Sequence, residues 1–301
     1  MAITLLTPSV FICSSNLFLF YFIDFYITTG VKGLPHQKAG IDAGGTLVKI
    51  VYQESNKKHY KKYPINQLNE AISWFNIVAP NVSVGLTGGK AHLIQKNYLS
   101  SAVLIPEFQA TCEGARILML EEEKSSDQPF LIVNIGTGTS WHLVVGEKYE
   151  RILGSGIGGG TFVGLGSILT KKEDFQALIN LANKGEKENI DLLVKDIYES
   201  AEPPIDGHLT AANFAKGLKV KHSDADRMAA VTNMIAETIA LLTLQSAAIH
   251  QVKTVVLIGS TLIGNESLTS TLEYYMKRFE LEAVFLDKGE YCGAVGAYDF
   301  V

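Results

Sequence analysis

The stretch that decides the fold is Gly40-Ile41-Asp42-Ala43-Gly44-Gly45-Thr46-Leu47-Val48-Lys49. Apolar and β-branched residues follow the glycine pair as far as Tyr52, so the two glycines are predicted to join two strands in a hairpin. A Walker loop or a dinucleotide-binding turn would instead place a helix directly after its glycines. We therefore expect a hairpin that binds phosphate between two strands.

This hairpin carries the residue types that bind phosphate and a divalent cation. Glycine lets backbone N–H groups approach a phosphate closely, and Thr46 adds a hydroxyl donor. The carboxylate of Asp42, at the end of the first strand, can hold Mg²⁺ directly or through water against the β- and γ-phosphates of a nucleotide. Lys49 either adds positive charge to this site or faces solvent at the edge of the hairpin.

A second hairpin of the same kind follows about 90 residues later, which suggests a duplicated architecture. Residues 131–135 predict a buried strand, Gly136-Thr137-Gly138-Thr139-Ser140 turn the chain, and residues 141–145 run back. Helical periodicity predicts helices at residues 68–78 and 228–249. The second of these leads into a strand at residues 254–258. We expect two lobes packed around a cleft.

A third glycine cluster occupies residues 154–160 and precedes an apolar stretch, residues 161–169, that is predicted to be a helix. The start of that helix would offer free N–H groups and a positive dipole end to an anion. Gly154, Gly156 and Gly159 also fit the spacing of a dinucleotide fingerprint, but no acidic residue ends a following strand. We interpret the cluster as a phosphate loop, with a flexible connection between domains as the alternative.

The composition excludes several classes of function. With 301 residues the chain can form two domains, and a net charge of −5 gives no electrostatic footprint for nucleic acid. The three cysteines are far apart and no pair of histidines has metal-binding spacing, which favours a reduced, cytoplasmic protein without a transition-metal site. The short basic cluster at residues 57–62 is predicted to be a solvated hairpin rather than a binding patch.

Residues 1–38 do not share the pattern of the rest of the chain. The apolar run at residues 10–23 is broken by Ser14, Ser15 and Asn16, and it is shorter than the about 20 residues that a membrane-spanning helix needs. No basic residue precedes it, as a signal peptide would require. A dispensable or misassigned extension outside the fold is favoured over a membrane anchor or a targeting segment. We expect residues 39–130 to form the N-terminal lobe and residues 131–301 the C-terminal lobe.

Three segments, residues 42–46, 134–139 and 256–260, resemble the phosphate-1, phosphate-2 and adenosine segments of the acetate/sugar kinase, Hsp70 and actin superfamily. That resemblance implies an α/β fold of two ribonuclease-H-like (actin-like ATPase) lobes, with the nucleotide in the cleft between them. Further stretches are similar to the type II pantothenate kinases, in particular the short bacterial, firmicute-like members. These stretches are residues 85–91, 107–114, 158–162, 196–198, 202–205 and 209–214, together with Arg151.

The family resemblance implies a reaction: MgATP-dependent phosphorylation of pantothenate to 4′-phosphopantothenate, the first step of coenzyme A biosynthesis. Glu107 matches the family's catalytic base, and Ser140 and Arg151 match positions that contact pantothenate. Taken alone, a glutamate after a proline is more often a charge at a helix start. An acceptor alcohol must nevertheless lose its proton as it attacks, and a positioned carboxylate can take it. The resemblance also implies a homodimer.

The positions that match nucleotide contacts in the family form one larger set. They are Gly44, Gly45, Thr46, Leu47, Val48, Lys49, Thr137, Gly159, Gly160, Thr161, Phe162, Val163, Phe175 and Ser260. The resemblance implies that ATP and Mg²⁺ are required, with Asp42 as the metal ligand, either directly or through water. Phe175 could equally pack in the core beside its own helix.

Two rival functions remain open from the sequence. A sugar or N-acetylhexosamine kinase of the same superfamily shares the ATP segments, but it normally uses an aspartate base in a differently patterned acceptor loop. Glu107 and residues 202–205 argue against that reading. A non-catalytic ATP-binding regulator, or an activator ATPase, would hydrolyse nucleotide without phosphorylating any acceptor.

Overall fold

The computed structural model describes residues 38–54, 57–124, 128–198, 201–217 and 222–301. All of these residues belong to one compact unit. The predicted extension lies outside the described residues except for Lys38, which begins the first strand. The interpretation of the extension therefore stays a prediction.

The hairpin that contains Asp42 lies in the first of two five-stranded sheets. The strands of this sheet are β1 (Lys38–Ala43), β2 (Leu47–Glu54), β3 (Lys57–Pro64), β4 (Ser83–Thr87) and β5 (Val103–Leu104). Their spatial order is β3-β2-β1-β4-β5, with β1, β2 and β3 antiparallel and β4 and β5 running parallel to β1. The predicted turn between β1 and β2 is confirmed, because the Gly44 N–H donates to the Leu47 carbonyl at 3.0 Å.

The second five-stranded sheet repeats the topology of the first. The remaining strands are β6 (Phe130–Ile135), β7 (Thr139–Val145), β8 (Lys148–Ser155), β9 (Leu192–Leu193), β10 (Thr210–Ala212), β11 (Thr254–Ile258) and β12 (Glu282–Phe285). The order β8-β7-β6-β11-β12 has β6, β7 and β8 antiparallel and β11 and β12 parallel to β6, while β9 and β10 form a separate ribbon. The predicted duplication is therefore confirmed, strand for strand.

Helices pack around these sheets. Those in the described residues are α1 (Leu68–Val78), α2 (Ala91–Asn97), α3 (Glu107–Glu121), α4 (Gly159–Thr170), α5 (Phe175–Ala182), α6 (Val194–Tyr198), α7 (Asp224–His250), α8 (Glu266–Arg278) and α9 (Cys292–Asp299). Single 3-10 turns occur at Ile65–Gln67, Lys187–Asn189, Ser260–Leu262 and Gly289–Tyr291. The side chains of Asp174, Ser223 and Asn265 cap α5, α7 and α8, since each accepts a backbone N–H of the first turn.

The long helix α7 confirms the periodicity seen in the sequence for most of its length. Met228, Val231 and Ile235 are almost fully buried in the core on the second sheet. Ile249 differs from the prediction, because it lies in the last turn of the helix and is 73% exposed. Within the described residues α7 is long and apolar enough to cross a membrane, but most of its apolar stretch is buried inside the protein, as in a core helix.

The last helix, α9, packs against β1, β4 and α3. The approach is so close that a Cβ atom on Gly40, Gly85 or Gly114 would come within 2.0, 2.0 or 1.8 Å of a backbone oxygen of the α9 region. Only glycine permits such contacts between backbones. The end of the chain is thereby fixed against the first sheet, next to the strand that carries Asp42. The predicted boundary between lobes at residue 130 stays a prediction.

Candidate active site

A cavity of about 640 Å³ lies where the β1–β2 and β6–β7 hairpins meet the start of α4. This volume is in the range of pockets that hold small molecules and cofactors. The lining residues come from both sheets: Thr46, Leu47, Lys62, Gly136, Thr137, Gly159, Gly160, Val163, Gly164, Phe175, Gln176, Ser260, Thr261 and Ile263. Eight of the positions expected to contact nucleotide thus line one cavity: Thr46, Leu47, Thr137, Gly159, Gly160, Val163, Phe175 and Ser260.

The tips of the two hairpins touch each other at this cavity. The hydroxyls of Thr46 and Thr137, one from each sheet, share a hydrogen bond of 3.2 Å between their Oγ1 atoms. Both residues are exposed. Hydroxyl groups can donate to a phosphate as readily as to each other. The two turns therefore present a pair of phosphate donors across the cleft.

The glycines at the start of α4 pack against neighbouring segments and also line the cavity. The Gly159 N–H donates to the Gly136 carbonyl and the Gly160 N–H to the Thr137 carbonyl, each at 2.8 Å. The prediction that the start of this helix offers free N–H groups to an anion is therefore wrong for these two residues. A Cβ on Gly159 would lie 2.5 Å from the Thr261 hydroxyl and 3.0 Å from the Gly136 carbonyl oxygen, so glycine lets the helix start approach both the turn Ser260–Leu262 and the second hairpin.

Two aromatic residues lie at the apolar side of the cavity. Phe175 lines the cavity and meets the ring of Phe162 edge-on, with centroids 5.6 Å apart. The position of Phe175 is thus compatible with both roles considered from the sequence, contact with the nucleotide and packing in the core. Phe162 itself is 1% exposed and Val48 is fully buried, so a nucleotide could reach either of them only through the backbone.

The other positions expected to contact nucleotide do not line the cavity. Gly44 and Gly45 form the turn beside Thr46. The Thr161 hydroxyl donates to the Gly156 carbonyl at 2.9 Å and accepts the Gly158 N–H at 3.3 Å, which closes the first turn of α4. The structure places these residues next to the cavity, in the backbone that shapes it.

Asp42 lies in a row of side chains that runs across neighbouring strands of the first sheet. In the register of the strands Asp42 is opposite Lys49 of β2 and opposite Thr87 of β4. The Lys49 ammonium lies 3.8 Å from the Asp42 carboxylate, and their side chains are only 14% and 18% exposed. Lys49 therefore does not face solvent at the hairpin edge. Burial raises the pKa of Asp42 above its usual range, and the charge of Lys49 opposes that rise.

The surroundings of Asp42 fit a magnesium ion that is held mostly by phosphate and water. The described residues contain no group of three or more His, Cys, Asp or Glu side chains that could form a cage by themselves. Mg²⁺ in phosphoryl-transfer sites commonly takes one or two carboxylates, phosphate oxygens and water. The Thr87 hydroxyl, opposite Asp42, is buried and has no hydrogen-bond partner within the described part of the chain. A carboxylate beside an unpaired buried hydroxyl suits a hydrated cation.

Glu107 is the first residue of α3 and follows Pro106. The helix start places its carboxyl within electrostatic reach of Asp42 and Lys49. Burial of the carboxyl is the main cause that raises the pKa of Glu107, the negative charge of Asp42 adds to the rise, and Lys49 opposes it. A carboxylate with a raised pKa is a better proton acceptor than an ordinary glutamate. The structure thus brings the predicted base to the predicted metal ligand.

The residues expected to bind the acceptor are connected to Phe108, the residue that follows Glu107 in α3. The ring of Phe108, the next residue of α3, is 5.1 Å from the Arg151 guanidinium carbon and 5.2 Å from the His142 ring. His142 in turn lies opposite Arg151 across β7 and β8. The Ser140 hydroxyl and His142 Nε2 are hydrogen-bonded at 2.9 Å. Ser140 and Arg151 are thus joined, through His142 and Phe108, into one cluster at the start of α3.

His142 was not singled out in the sequence, although a signal was present. Residues two apart on a strand share a face, so His142 had to point the same way as Ser140. The residue is 1% exposed, and burial together with the nearby Arg151 lowers its pKa to about 4. The imidazole is therefore neutral at physiological pH. Its Nδ1 atom has no hydrogen-bond partner in the described chain.

The comparison with protein families gives one clear match. A sequence model of the family described as Fumble matches residues 90–299. A protein named type II pantothenate kinase from Oceanobacillus iheyensis is 40% identical to this chain over 263 residues, which are 87% of this chain and 98% of that protein. The similarity therefore covers both hairpins, the glycine cluster and the Glu107 region together.

Solved structures show the same fold at low identity. Component A of (R)-2-hydroxyglutaryl-CoA dehydratase from Acidaminococcus fermentans has a TM-score of 0.63 and 16% identity, and the match covers 89% of this chain and 98% of that one. A ROK family glucokinase from Streptomyces griseus, solved with glucose and AMPPNP, has a TM-score of 0.55 and 12% identity, covering 88% and 99%. This likeness shows the fold alone, and it confirms the two-lobed, actin-like α/β architecture.

Proposed function

Since the chain belongs to the type II pantothenate kinase (Fumble) family, we propose that it transfers the γ-phosphoryl group of ATP to the primary hydroxyl of pantothenate. The products would be ADP and 4′-phosphopantothenate, and the reaction would be the first step of coenzyme A biosynthesis. Besides the family, the observation that carries this proposal is the placement of Glu107. Its carboxyl, with a raised pKa, lies within electrostatic reach of Asp42 and Lys49, and the Ser140–Arg151 cluster contacts Phe108, the next residue of the same helix.

In this proposal the 640 Å³ cavity holds ATP. The hydroxyls of Thr46 and Thr137 exchange their mutual hydrogen bond for bonds to the phosphates, and Phe175 packs against the apolar part of the nucleotide. Gly44, Gly45, Gly159 and Gly160 keep the backbone close enough for contact. Asp42 would hold Mg²⁺, directly or through water, and the ion when bound would neutralise charge on the phosphate oxygens.

Glu107 is proposed to be the catalytic base. As its carboxylate takes the proton of the acceptor hydroxyl, the alkoxide oxygen forms a bond to the γ-phosphorus. The bond from that phosphorus to the β–γ bridging oxygen breaks, and ADP leaves with the electron pair. Arg151 would bind the carboxylate of pantothenate through its planar fork, and Ser140, held by His142, would orient the acceptor.

Three finer features of the proposal come from the family expectation. We expect a homodimer, a cytoplasmic location and closure of the cleft on substrate. Closure would exclude water, which otherwise competes with the acceptor for the phosphoryl group. Light scattering on the purified full chain of 32.8 kDa would give twice that mass for a dimer.

The test of the proposed function is ADP release by purified protein with MgATP. Pantothenate is compared with glucose and N-acetylglucosamine as acceptors, at equal concentrations. We expect turnover that depends on pantothenate and is not stimulated by either sugar. Stimulation by a sugar alone would favour the sugar-kinase alternative. ADP release that ignores all three acceptors would favour an ATPase that acts as a regulator.

A further inference from the structure

Lys62 lies on β3 and reaches the wall of the nucleotide cavity. Of the lining residues that the structure describes, it alone carries a charge. The other lining groups near the hairpins are hydroxyls and backbone. A nucleoside triphosphate brings several negative charges into such a cavity, and hydrogen bonds from a cation to phosphate are about twice as strong as neutral ones. A lysine that lines this cavity is therefore placed to bind an anionic ligand.

The ammonium group of Lys62 is held in place by a buried carboxylate. It donates to both oxygens of Glu290, at 3.0 and 2.9 Å. Glu290 is 8% exposed and lies in the turn Gly289–Tyr291 directly before α9, whereas the Lys62 side chain is 42% exposed. The pair is therefore asymmetric, with the carboxylate inside the protein and the ammonium toward the cavity. Anchoring restricts the rotamers of a flexible side chain before any ligand arrives.

The register of the sheet gives a second, independent indication. Lys62 is directly opposite Lys49 on the antiparallel pair β2–β3, so the two side chains share one face. Like charges in directly opposite positions destabilise a sheet. Lys49 is next to Asp42 in the same row, at 3.8 Å. The row Asp42–Lys49–Lys62 therefore runs from the proposed metal ligand to the cavity wall, and its two cations face the side of the sheet on which phosphates would lie.

We propose that Lys62 is a nucleotide-binding residue whose ammonium contacts the phosphates of ATP, with Glu290 as its positioning residue. This inference rests on the nucleotide site of the proposed function and not on the identity of the acceptor. The segment 57–62, which the sequence predicts to be a solvated hairpin rather than a binding patch, thus includes one residue that lines the cavity.

The first experiment measures binding of ATP, ADP and adenosine to the full chain by calorimetry, without acceptor. We expect Lys62→Met to lower the affinity for ATP and for ADP by about tenfold, because one charged hydrogen bond is lost. The affinity for adenosine should stay unchanged. The matched control is Lys61→Met, which removes the same charge from the neighbouring position, where the ammonium lies 5.9 Å from the Trp74 ring centroid. The control should bind all three ligands like the wild type, and Lys62→Arg should retain most of the affinity for ATP.

The second variant, Glu290→Gln, separates a ligand contact from a purely structural ion pair. Both Lys62→Met and Glu290→Gln break the pair, so both should lower the melting temperature. Lys62→Met should weaken ATP binding about tenfold and Glu290→Gln clearly less, because Glu290→Gln loosens the position of the ammonium but leaves the cation in place. The inference is overturned if both variants lower the affinity for ATP equally, or if Lys62→Met lowers the affinity for adenosine as much as that for ATP. It is also overturned if Lys62→Met binds all three ligands as Lys61→Met does. A chain that binds ATP through Lys62 yet ignores pantothenate would contradict the proposed acceptor and leave this inference standing.

Discussion

Two carboxyl groups and one ammonium, those of Glu107, Asp42 and Lys49, set the chemistry of the site at the scale of single residues. Asp42 is mostly buried, and Lys49 is its cationic neighbour at 3.8 Å. Glu107 stands at the start of α3, where burial, and after it the charge of Asp42, raises its pKa and the charge of Lys49 opposes that rise. The two carboxyls have different surroundings, which suits them to the different roles of metal ligand and base.

Replacement of Glu107 by glutamine keeps the size of the side chain and removes its ability to take a proton. We expect kcat with pantothenate to fall by about 100- to 10,000-fold, the usual contribution of a general base. The affinity for ATP, measured by calorimetry, should stay within about twofold of the wild type, since Glu107 does not line the nucleotide cavity. Near-normal turnover of Glu107→Gln would mean that another group takes the proton.

The pKa of Glu107 also predicts the pH dependence of the reaction. A base must be unprotonated to act, so activity is complete above its pKa and is lost as the pH falls through it. Because burial and Asp42 raise the pKa of Glu107, the acid limb of the kcat/KM profile should lie above the value of about 4.3 of an ordinary glutamate. Initial rates on the wild type across this range measure it. An acid limb at or below the ordinary value would contradict the placement of Glu107.

The positions of single residues at the site are harder to predict from the sequence than the helices and strands. Asp42, Thr46 and Thr137 stand in local patterns with a direct physical meaning, and all three lie at the site. Lys62 has no such pattern, and the signal for His142 was only its spacing of two residues from Ser140 on one strand. The approach of Lys62 to the cavity depends on the pairing of β3 with β2 and on a carboxylate 228 positions away in the chain. Such distant contacts leave no trace in a local window.

Helix α9 links the elements that carry Asp42 and Glu107. It packs against β1 through Gly40, against β4 through Gly85, and against α3 through Gly114, with backbone contacts in each case. Its own Gly293 lies close to the Asp42 carboxylate, since a Cβ there would be 2.7 Å from Oδ2. The position of the last helix therefore controls how the base and the metal ligand face each other.

The substitution Gly114→Ala tests this packing. In an exposed helix the change from glycine to alanine stabilises by about 1 kcal/mol. Here the new Cβ would lie 1.8 Å from the Cys292 carbonyl oxygen, so α3 and α9 must move apart. We expect a net loss of stability on the order of 3 kcal/mol, measured by urea unfolding.

The matched control is Gly164→Ala in α4, where a Cβ would meet no atom within 4 Å. This variant should be as stable as the wild type or more so, in keeping with the ordinary helix preference for alanine. Equal stability of both variants would show that the contact between α3 and α9 is looser than the structure has it.

Elements were predicted well where the signal is local and poorly where it is not. The hairpins and the helices at residues 68–78, 161–169 and 228–249 follow from periodicity and from glycine between β-branched runs, and all are present. The packing of α9 depends on Gly40, Gly85 and Gly114, which are scattered over three elements and become meaningful only when the sheets are assembled. Ile249 shows another limit of sequence-based prediction. Helical periodicity does not indicate at which residue the apolar side chains of a helix stop being buried.

At the scale of the whole molecule, two sheets of identical topology present their hairpins to each other. The hydrogen bond between Thr46 and Thr137 joins the two hairpins at the cavity, and Glu107, Ser140 and Arg151 lie outside its lining. This arrangement separates the proposed nucleotide site from the residues proposed to bind the acceptor. The row Asp42–Lys49–Lys62 runs from the cavity wall to the neighbourhood of Glu107. The duplication thus accounts for the nucleotide site, while α3 and β8 add the residues that would choose the acceptor.

The most direct test of the central claim is mass spectrometry of the product formed from pantothenate and MgATP by the purified full chain, with Glu107→Gln run in parallel. The account predicts phosphopantothenate in amounts equal to the ADP released by the wild type, and little of it with Glu107→Gln. ADP without any phosphorylated pantothenate would contradict the account, and would leave a two-lobed ATP-binding fold whose acceptor is something else.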